Sequence, residues 1–404
     1  MRVYLGNGNF NRVLDGFVGK MTNPNDQILF GSKEGKSLYM GVDARSQRNV
    51  LEHLKREGFS HSILRNLIQN DLRESLSSER GRFKCAQEPQ NIDTASYHRF
   101  EEIECYLTAV QKKYPRSTEL IEIGTSFHGR SLTAIKISDG TDNKKIAAFI
   151  NAGMHADQWI SPASAVYAIN ELTENASKYR DILSQMDVYV MPVNNPDGYR
   201  HSWDSMPIWT KTRSGPYHLS CRGVDLNRNW DIDWKDEATA TSCLNEYPGP
   251  VAFSEPESRA LAEFLQDNND TIRVFIDIHS HGTAVLYPFA NTDRMPSNIN
   301  ALKVGAERAA KAMKSVNGTE FAQASVGAWM DEKTGGMAID YAKQSLNIEH
   351  AYAIHLRPAR AQPQNGVDVP SLAVNKIRVA SQEGWAGVSA LLKYVASESN
   401  GQKS

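Results

Sequence analysis

His155-Ala156-Asp157-Gln158-Trp159 follows an apolar run over 146–150 and a turn at Gly153, and precedes a helix-like segment over 161–172. A buried strand that gives way through a short loop to a helix is the unit from which α/β sheets are built, and its strand end is where such sheets hold ligands. A histidine and a second donor three positions on can face one metal ion. Here the second position is Gln158, and a neutral amide oxygen is a much poorer donor to zinc than a carboxylate. His155 also has a plainer reading, as a buried histidine satisfied by hydrogen bonds.

Outward from this unit, the pattern repeats. Residues 97–114 carry apolar side chains at helical spacing (Phe100, Ile103, Leu107, Val110), and 119–124, 130–138, 146–151 and 187–193 read as strands. Further on, 255–265 and 301–316 read as helices, with Ser254 as a candidate N-cap of the first. Residues 272–279 read as a strand, 345–356 contain another, and a last helix lies within 370–396, with Pro370 near its start. Strands alternating with helices predict a mixed or parallel sheet covered on both faces. His155, His279 and the loop Asn194-Asn195-Pro196-Asp197-Gly198 then meet at strand ends. Before this region, 27–30 and 37–42 read as strands and 49–57 as a short amphipathic helix, while 61–68 is apolar-rich and 71–83 is a charged, exposed stretch.

The chain has 404 residues, 23% charged and 40% hydrophobic, with a formal net charge of -2. That length supports a large core and more than one domain. No basic block points to nucleic acid, and no apolar run is long enough to cross a bilayer. Residues 1–20 lack the apolar core of a signal peptide. Four cysteines (Cys85, Cys105, Cys221, Cys243) allow two disulfides without dictating them, and Asn-x-Ser/Thr sequons start at Asn175, Asn269 and Asn317.

Several stretches together resemble the secreted zinc metallocarboxypeptidases of the pancreatic A/B type, which carry an N-terminal pro-domain. They are His155-Ala156-Asp157-Gln158-Trp159-Ile160-Ser161, Val193 through Tyr199, Trp209-Thr210-Lys211-Thr212-Arg213, Gly223-Val224-Asp225-Leu226-Asn227-Arg228-Asn229-Trp230, Tyr247 through Pro250, Ser254 through Glu257, Ile278-His279-Ser280 and Ile354-His355-Leu356-Arg357. The resemblance implies an α/β fold with a mixed, predominantly parallel eight-stranded twisted sheet flanked by helices. It also implies a pro-segment-like α/β domain over 1–80, an exposed connector over 81–92 and a carboxypeptidase-like domain over 93–398. Cys221 and Cys243 match a family disulfide. The family holds zinc on two histidines and a glutamate, uses a glutamate as general base and an arginine for the oxyanion, and grips the substrate carboxylate with an Asn-Arg pair and a tyrosine.

Carried over residue by residue, that machinery is depleted. His155 and His279 keep the histidine positions, and Asp225 would fix the tautomer of His155. Gln158 stands at the ligand glutamate, Asp157 at an arginine, Thr210 at the oxyanion arginine and His355 at the general base. Asp331 stands at the tyrosine, and only Asn227 and Arg228 are intact. Glu349 cannot replace the base, because six strand residues at about 3.3 Å each put it roughly 20 Å away. The expectation is a catalytically inactive homologue, secreted, that binds a peptide, a carboxylate or another small ligand in the former cleft, or serves structurally, with zinc weakened or lost. The alternative is a zinc-dependent hydrolase that uses His155, His279 and His355. Plainer readings remain for individual residues: Gln158 bonded to His279 or backbone, Arg228 paired with Asp157, His355 a neutral core ring, and His281 either a cleft residue or an exposed loop residue.

Overall fold

The computed structural model describes residues 2–4, 27–30, 37–42, 45–62, 92–141, 143–217, 221–235, 242–330, 333–357 and 374–401. Asp331, Cys85, Pro370 and the expected connector up to residue 91 lie outside them. In the N-terminal part, β1 (Arg2–Tyr4), β2 (Gln27–Phe30), β3 (Ser37–Gly41) and β4 (Ser60–Ser62) form a sheet in the order β2-β3-β1-β4. Every neighbouring pair in it is antiparallel. Helix α1 (Gln47–Arg56) buries Val50 and Leu54, one turn apart on the same side.

The larger unit is built on β5 (Thr118–Thr125), β6 (Ser131–Ile137), β7 (Ile146–Asn151), β8 (Met186–Met191), β9 (Ile272–His279), β10 (Ala284–Tyr287), β11 (Ala322–Ser325) and β12 (His350–His355). Its helices are α2 (Phe100–Lys113), α3 (Ile160–Glu174), α4 (Pro196–Asp204), α5 (Pro256–Asp267), α6 (Ile299–Asn317), α7 (Ala338–Gln344) and α8 (Val374–Gly401), besides shorter turns. The eight strands lie in the order β11-β10-β12-β9-β7-β8-β6-β5. The expectation of a predominantly parallel sheet holds for its centre. The pairs β12-β9, β9-β7 and β7-β8 are parallel, as is β10-β11 at one edge, whereas β10-β12, β6-β8 and β5-β6 are antiparallel. Of the antiparallel pairs, β5-β6 is a hairpin joined directly through 126–130, a short connection that only an antiparallel pair can use.

Strand alternation sorts the core into two layers. From β7, Ala148 and Ile150 point to the layer that contains α2, α3, α6 and α8, and Ala147 and Phe149 point to the layer under α5 and α7. Covering on both sides explains why the central strands read as continuous apolar runs and not as alternating ones. Phe149 lies between Phe275 and Phe264, with ring centroids at 6.2 and 5.6 Å. Each such side chain contributes about 1.5–3 kcal/mol by leaving water.

Two local expectations are corrected. The segment 194–198 reads as a loop, yet Pro196–Gly198 form the first turn of α4. Asn195 is the N-cap, its Oδ1 accepting from the Gly198 N–H at 2.9 Å, and Pro196 follows at the first helical position. Gly198 has no alternative, since a Cβ there would stand 2.3 Å from the Lys211 carbonyl oxygen. Ser254 does not cap α5; Glu255 holds the N-cap position, with Pro256 after it. The Ser254 hydroxyl donates to Glu255 Oε1 at 3.1 Å and accepts from Asn229 Nδ2 at 2.9 Å. The strands β10 and β11 and the short helix α7 escape the sequence reading because four to seven residues carry too little periodicity.

Asn195 also donates from Nδ2 to the Met154 carbonyl at 3.1 Å and is fully buried. Asn195→Ala removes a cap and leaves that carbonyl unpaired, so it is expected to cost roughly 2–4 kcal/mol of stability, read by urea denaturation.

Candidate functional site

Parallel register brings the site together. His355 on β12 pairs with His279 on β9, and Asp277 on β9 pairs with Asn151 on β7, just before the loop that carries His155. That loop needs Gly153, whose φ is +65° and whose missing Cβ would lie 2.9 Å from the Pro192 carbonyl. The Gly153 N–H donates to Ser161 Oγ at 2.9 Å, and that hydroxyl donates to the Ile278 carbonyl at 2.6 Å. The Ala156 N–H donates to the Thr210 carbonyl at 2.9 Å, and Trp159 stacks on Trp203 with centroids 4.4 Å apart. The backbone around His155 is therefore fixed before its own side chain is considered.

His155 donates from Nε2 to Asp225 Oδ1 at 2.9 Å. Its other nitrogen, Nδ1, lies 3.1 Å from Gln158 Nε2, and Gln158 Oε1 lies 2.7 Å from the Ser280 N–H. A backbone N–H can only donate, so the Ser280 contact fixes which end of the amide is oxygen. Gln158 then donates to Nδ1, and the His155 ring is neutral with its proton on Nε2. Burial disfavours a charge on His155, while Asp225, Asp157 and Asp277 raise its proton affinity above the usual value. Burial likewise works against charge on Asp225, but His155, Arg228 and the Asn227 N–H together hold its pKa below the usual value. Gln158 thus bonds His155 and backbone, not His279.

His279 donates from Nε2 to Asp277 Oδ2 at 2.8 Å, and Asp277 Oδ1 accepts from Asn151 Nδ2 at 2.9 Å. Its ring lies between the other two, with centroids 5.1 Å from His155 and 5.1 Å from His355, the latter stacked at 28°. His355 Nδ1 is buried without a hydrogen-bond partner. Burial drives the His355 pKa well below the usual value, and the neighbouring His279 and His155 push it the same way. His279 is the ring common to both contacts. Among the described residues no group of three His, Cys, Asp or Glu side chains could hold a metal. The donors do not fit zinc: one lone pair is already taken by an amide N–H, and the third position offers no carboxylate. The three-histidine zinc set is not assembled.

The cations next to Thr210 in sequence, Lys211 and Arg213, are engaged elsewhere. Lys211 is buried, pushed down to about 7 by that burial, and donates from Nζ to the Ser242 carbonyl at 2.6 Å. Arg213 lies over the Trp209 ring, 4.3 Å from its centroid. Asp157 does not meet Arg228. Its Oδ2 is 4.0 Å from His281 Nε2 and its Oδ1 is buried without a partner, and burial raises its pKa against the pull of His281 and His155. Arg228 Nε instead lies 3.8 Å from Asp225 Oδ2.

Asn227 and Arg228 sit in a short turn, Leu226–Arg228, capped by Asp225 through its Oδ1 and the Asn227 N–H at 3.0 Å. The Asn227 Oδ1 accepts from the Ala338 N–H at 3.0 Å. Gly336 closes against the same turn: it donates to the Ile232 carbonyl at 2.8 Å and accepts from the Trp230 N–H at 3.2 Å. The expected disulfide between Cys221 and Cys243 is present, with Cα atoms 4.9 Å apart. Cys105 is disulfide-bonded as well. The sequence reading missed Asp277 and Ser280. Asp277 was within reach, because residues two apart on a strand share a face and it stands two before His279. Ser280 acts through its backbone N–H, for which no sequence signal exists.

Residues 103–387 match the zinc carboxypeptidase family. Carboxypeptidase B of Astacus astacus is 33% identical over 306 residues, covering 75% of this chain and 98% of that protein. Bovine thrombin-activatable fibrinolysis inhibitor, solved in complex with a tick carboxypeptidase inhibitor, superposes with a TM-score of 0.67 at 28% identity, over 76% of this chain and 99% of that one. The carboxypeptidase A of Helicoverpa armigera shares the fold over 99% of this chain and 98% of its own, with a TM-score of 0.75 at 23% identity. The chain belongs to the zinc carboxypeptidase family.

Gly336 has φ +73°, and a Cβ there would stand 2.0 Å from the Arg228 carbonyl oxygen. Gly336→Ala is expected to cost at least about 2 kcal/mol in urea denaturation, from the left-handed backbone and the overpacking together.

Proposed function

We propose that this member of the zinc carboxypeptidase family is a non-catalytic binding protein whose cleft holds the C-terminal carboxylate of a peptide on Arg228 without hydrolysing it. The observation that carries this reading is a division within one cleft. At the reacting end, Thr210 brings no positive charge and His355 is a half-buried ring with little affinity for a proton. At the anchoring end, Arg228 stays part-exposed on a turn braced by Asp225, Asn227 and Gly336. A guanidinium on a fixed turn is suited to a carboxylate, which it can meet with paired N–H donors.

The energetic argument runs the same way. Loss of one oxyanion donor costs roughly 2.7–4 kcal/mol of transition-state stabilisation. Loss of a general base removes a further ~10²–10⁴ in rate. Effects of groups that act together do not simply add, but either loss alone would make turnover very slow. Binding does not need these groups, so it survives their loss. The disulfide between Cys221 and Cys243 suits an oxidising compartment and supports secretion. Residues 1–80 are proposed as a pro-segment-like domain, as in a zymogen, joined through 81–92 to the carboxypeptidase-like domain over 93–398.

Peptides with a free C-terminal carboxylate are expected to bind, and the same peptides with a C-terminal amide to bind at least about tenfold more weakly, as measured by isothermal titration. Arg228→Gln is expected to abolish that difference. Mass spectrometry of peptide incubated with stoichiometric protein should show no shortened product. Turnover would overturn the non-catalytic reading, and equal affinity for acid and amide would overturn the carboxylate anchor.

A further inference from the structure

The zinc donors of the family hold two walls of its cleft together: the loop after β7 and the end of β9. In this chain those walls carry His155 and His279, and something else joins them. We propose that the Gln158 carboxamide stands in for the metal as a built-in bridge, so that the cleft is complete and stable without any ion. The amide is buried and both of its ends are used: Nε2 on His155 Nδ1 at 3.1 Å, and Oε1 on the N–H of Ser280, next to His279, at 2.7 Å. The outer clamps are kept, Asp225 on His155 Nε2 and Asp277 on His279 Nε2. These clamps leave His155 Nδ1 as an acceptor, which is the lone pair a metal would require. Gln158 fills it with an N–H.

The bridge also explains why a metal is shut out. To coordinate an ion at His155 Nδ1, the Gln158 N–H must leave. To offer its oxygen to the same ion, the amide must give up Ser280, whose buried N–H then has no acceptor. A carboxylate of the same size has neither difficulty: one oxygen keeps Ser280 and the other faces the ion. Metal independence therefore rests on one side chain, and Gln158→Glu reverses it. This inference does not depend on the peptide-binding reading, because zinc uptake and carboxylate recognition are measured separately.

The test starts with the full-length protein. Long-range ¹H–¹⁵N spectra should show the His155 ring neutral, protonated on Nε2, and unmoved by excess zinc or by chelator. The melting temperature should stay within about 1 °C under both treatments. Gln158→Glu should bind one zinc per chain at least about 100-fold more tightly than the parent in isothermal titration, and His155→Ala in that background should remove the gain. Gln158→Met keeps the bulk and loses both hydrogen bonds, so it should lower the melting temperature in metal-free buffer. The proposal is overturned if the parent takes up stoichiometric zinc at His155, or if folded Gln158→Glu binds zinc no better. A Gln158→Met variant that melts with the parent overturns it as well.

Discussion

The parallel pairing of β12, β9, β7 and β8 is the constraint on which the cleft depends. These strands are covered on both faces, so their backbone groups can be satisfied only by neighbouring strands. A slip of one residue would exchange Ala148 and Ile150 with Ala147 and Phe149 between the two core layers, which differ in shape and partners. Register is thus held by packing along the whole strand and not by the residues at its end. The consequence is positional: His279, His355 and the loop carrying His155 are brought together by a sheet that does not need their side chains.

This separation explains how side chains at the catalytic positions can change while the fold stays. Thr210 is tied to the His155 loop through its carbonyl, which accepts from the Ala156 N–H whatever side chain residue 210 carries. His355 ends a strand whose backbone pairs on both sides, with β9 and with β10. Asp157 lies between His155 and Gln158 in a loop fixed by Gly153 and Ser161. Each altered position is thus a side chain on an independently determined backbone. Gly336 is the opposite case, because its missing side chain is what lets the 333–337 segment close on Arg228.

The same separation decides how much was legible in the sequence. The long central strands and helices were readable because their apolar residues repeat at the period of the element; β7 and β9 have the bounds their apolar runs suggest. Short elements such as β10 and the edge strand β11 were not, since their position follows from what they pair with. In the site, residue types were readable and partners were not. Gln158 announced itself as the wrong donor for a metal, but its contact with the Ser280 N–H depends on where β9 ends in space. The turn-like Asn195-Pro196-Asp197-Gly198 misled because the Asx cap and N1 proline of a helix use the same residues as a turn.

Charge gives the substitutions at the metal position a common logic. In the family pattern a divalent cation faces two glutamates, one as ligand and one as base. A carboxylate buried without its cation is strongly unfavourable, so losing the metal while keeping both glutamates would leave two unbalanced charges beside Asp225 and Asp277. Gln158 and His355 are both neutral, and between them they remove the two negative charges that the cation would have balanced. The remaining aspartates are met by other donors: Asp225 by His155, the Asn227 N–H and Arg228, and Asp277 by His279 and Asn151. Asp157 is the exception. Its Oδ1 has no partner, and His281, 4.0 Å from its Oδ2, His155 and the Thr210 side chain offset its charge only in part, so burial still raises its pKa. His281 itself has φ +66°, a left-handed conformation uncommon for a non-glycine residue. The turn after β9 thus sets an imidazole beside a carboxylate whose charge burial disfavours.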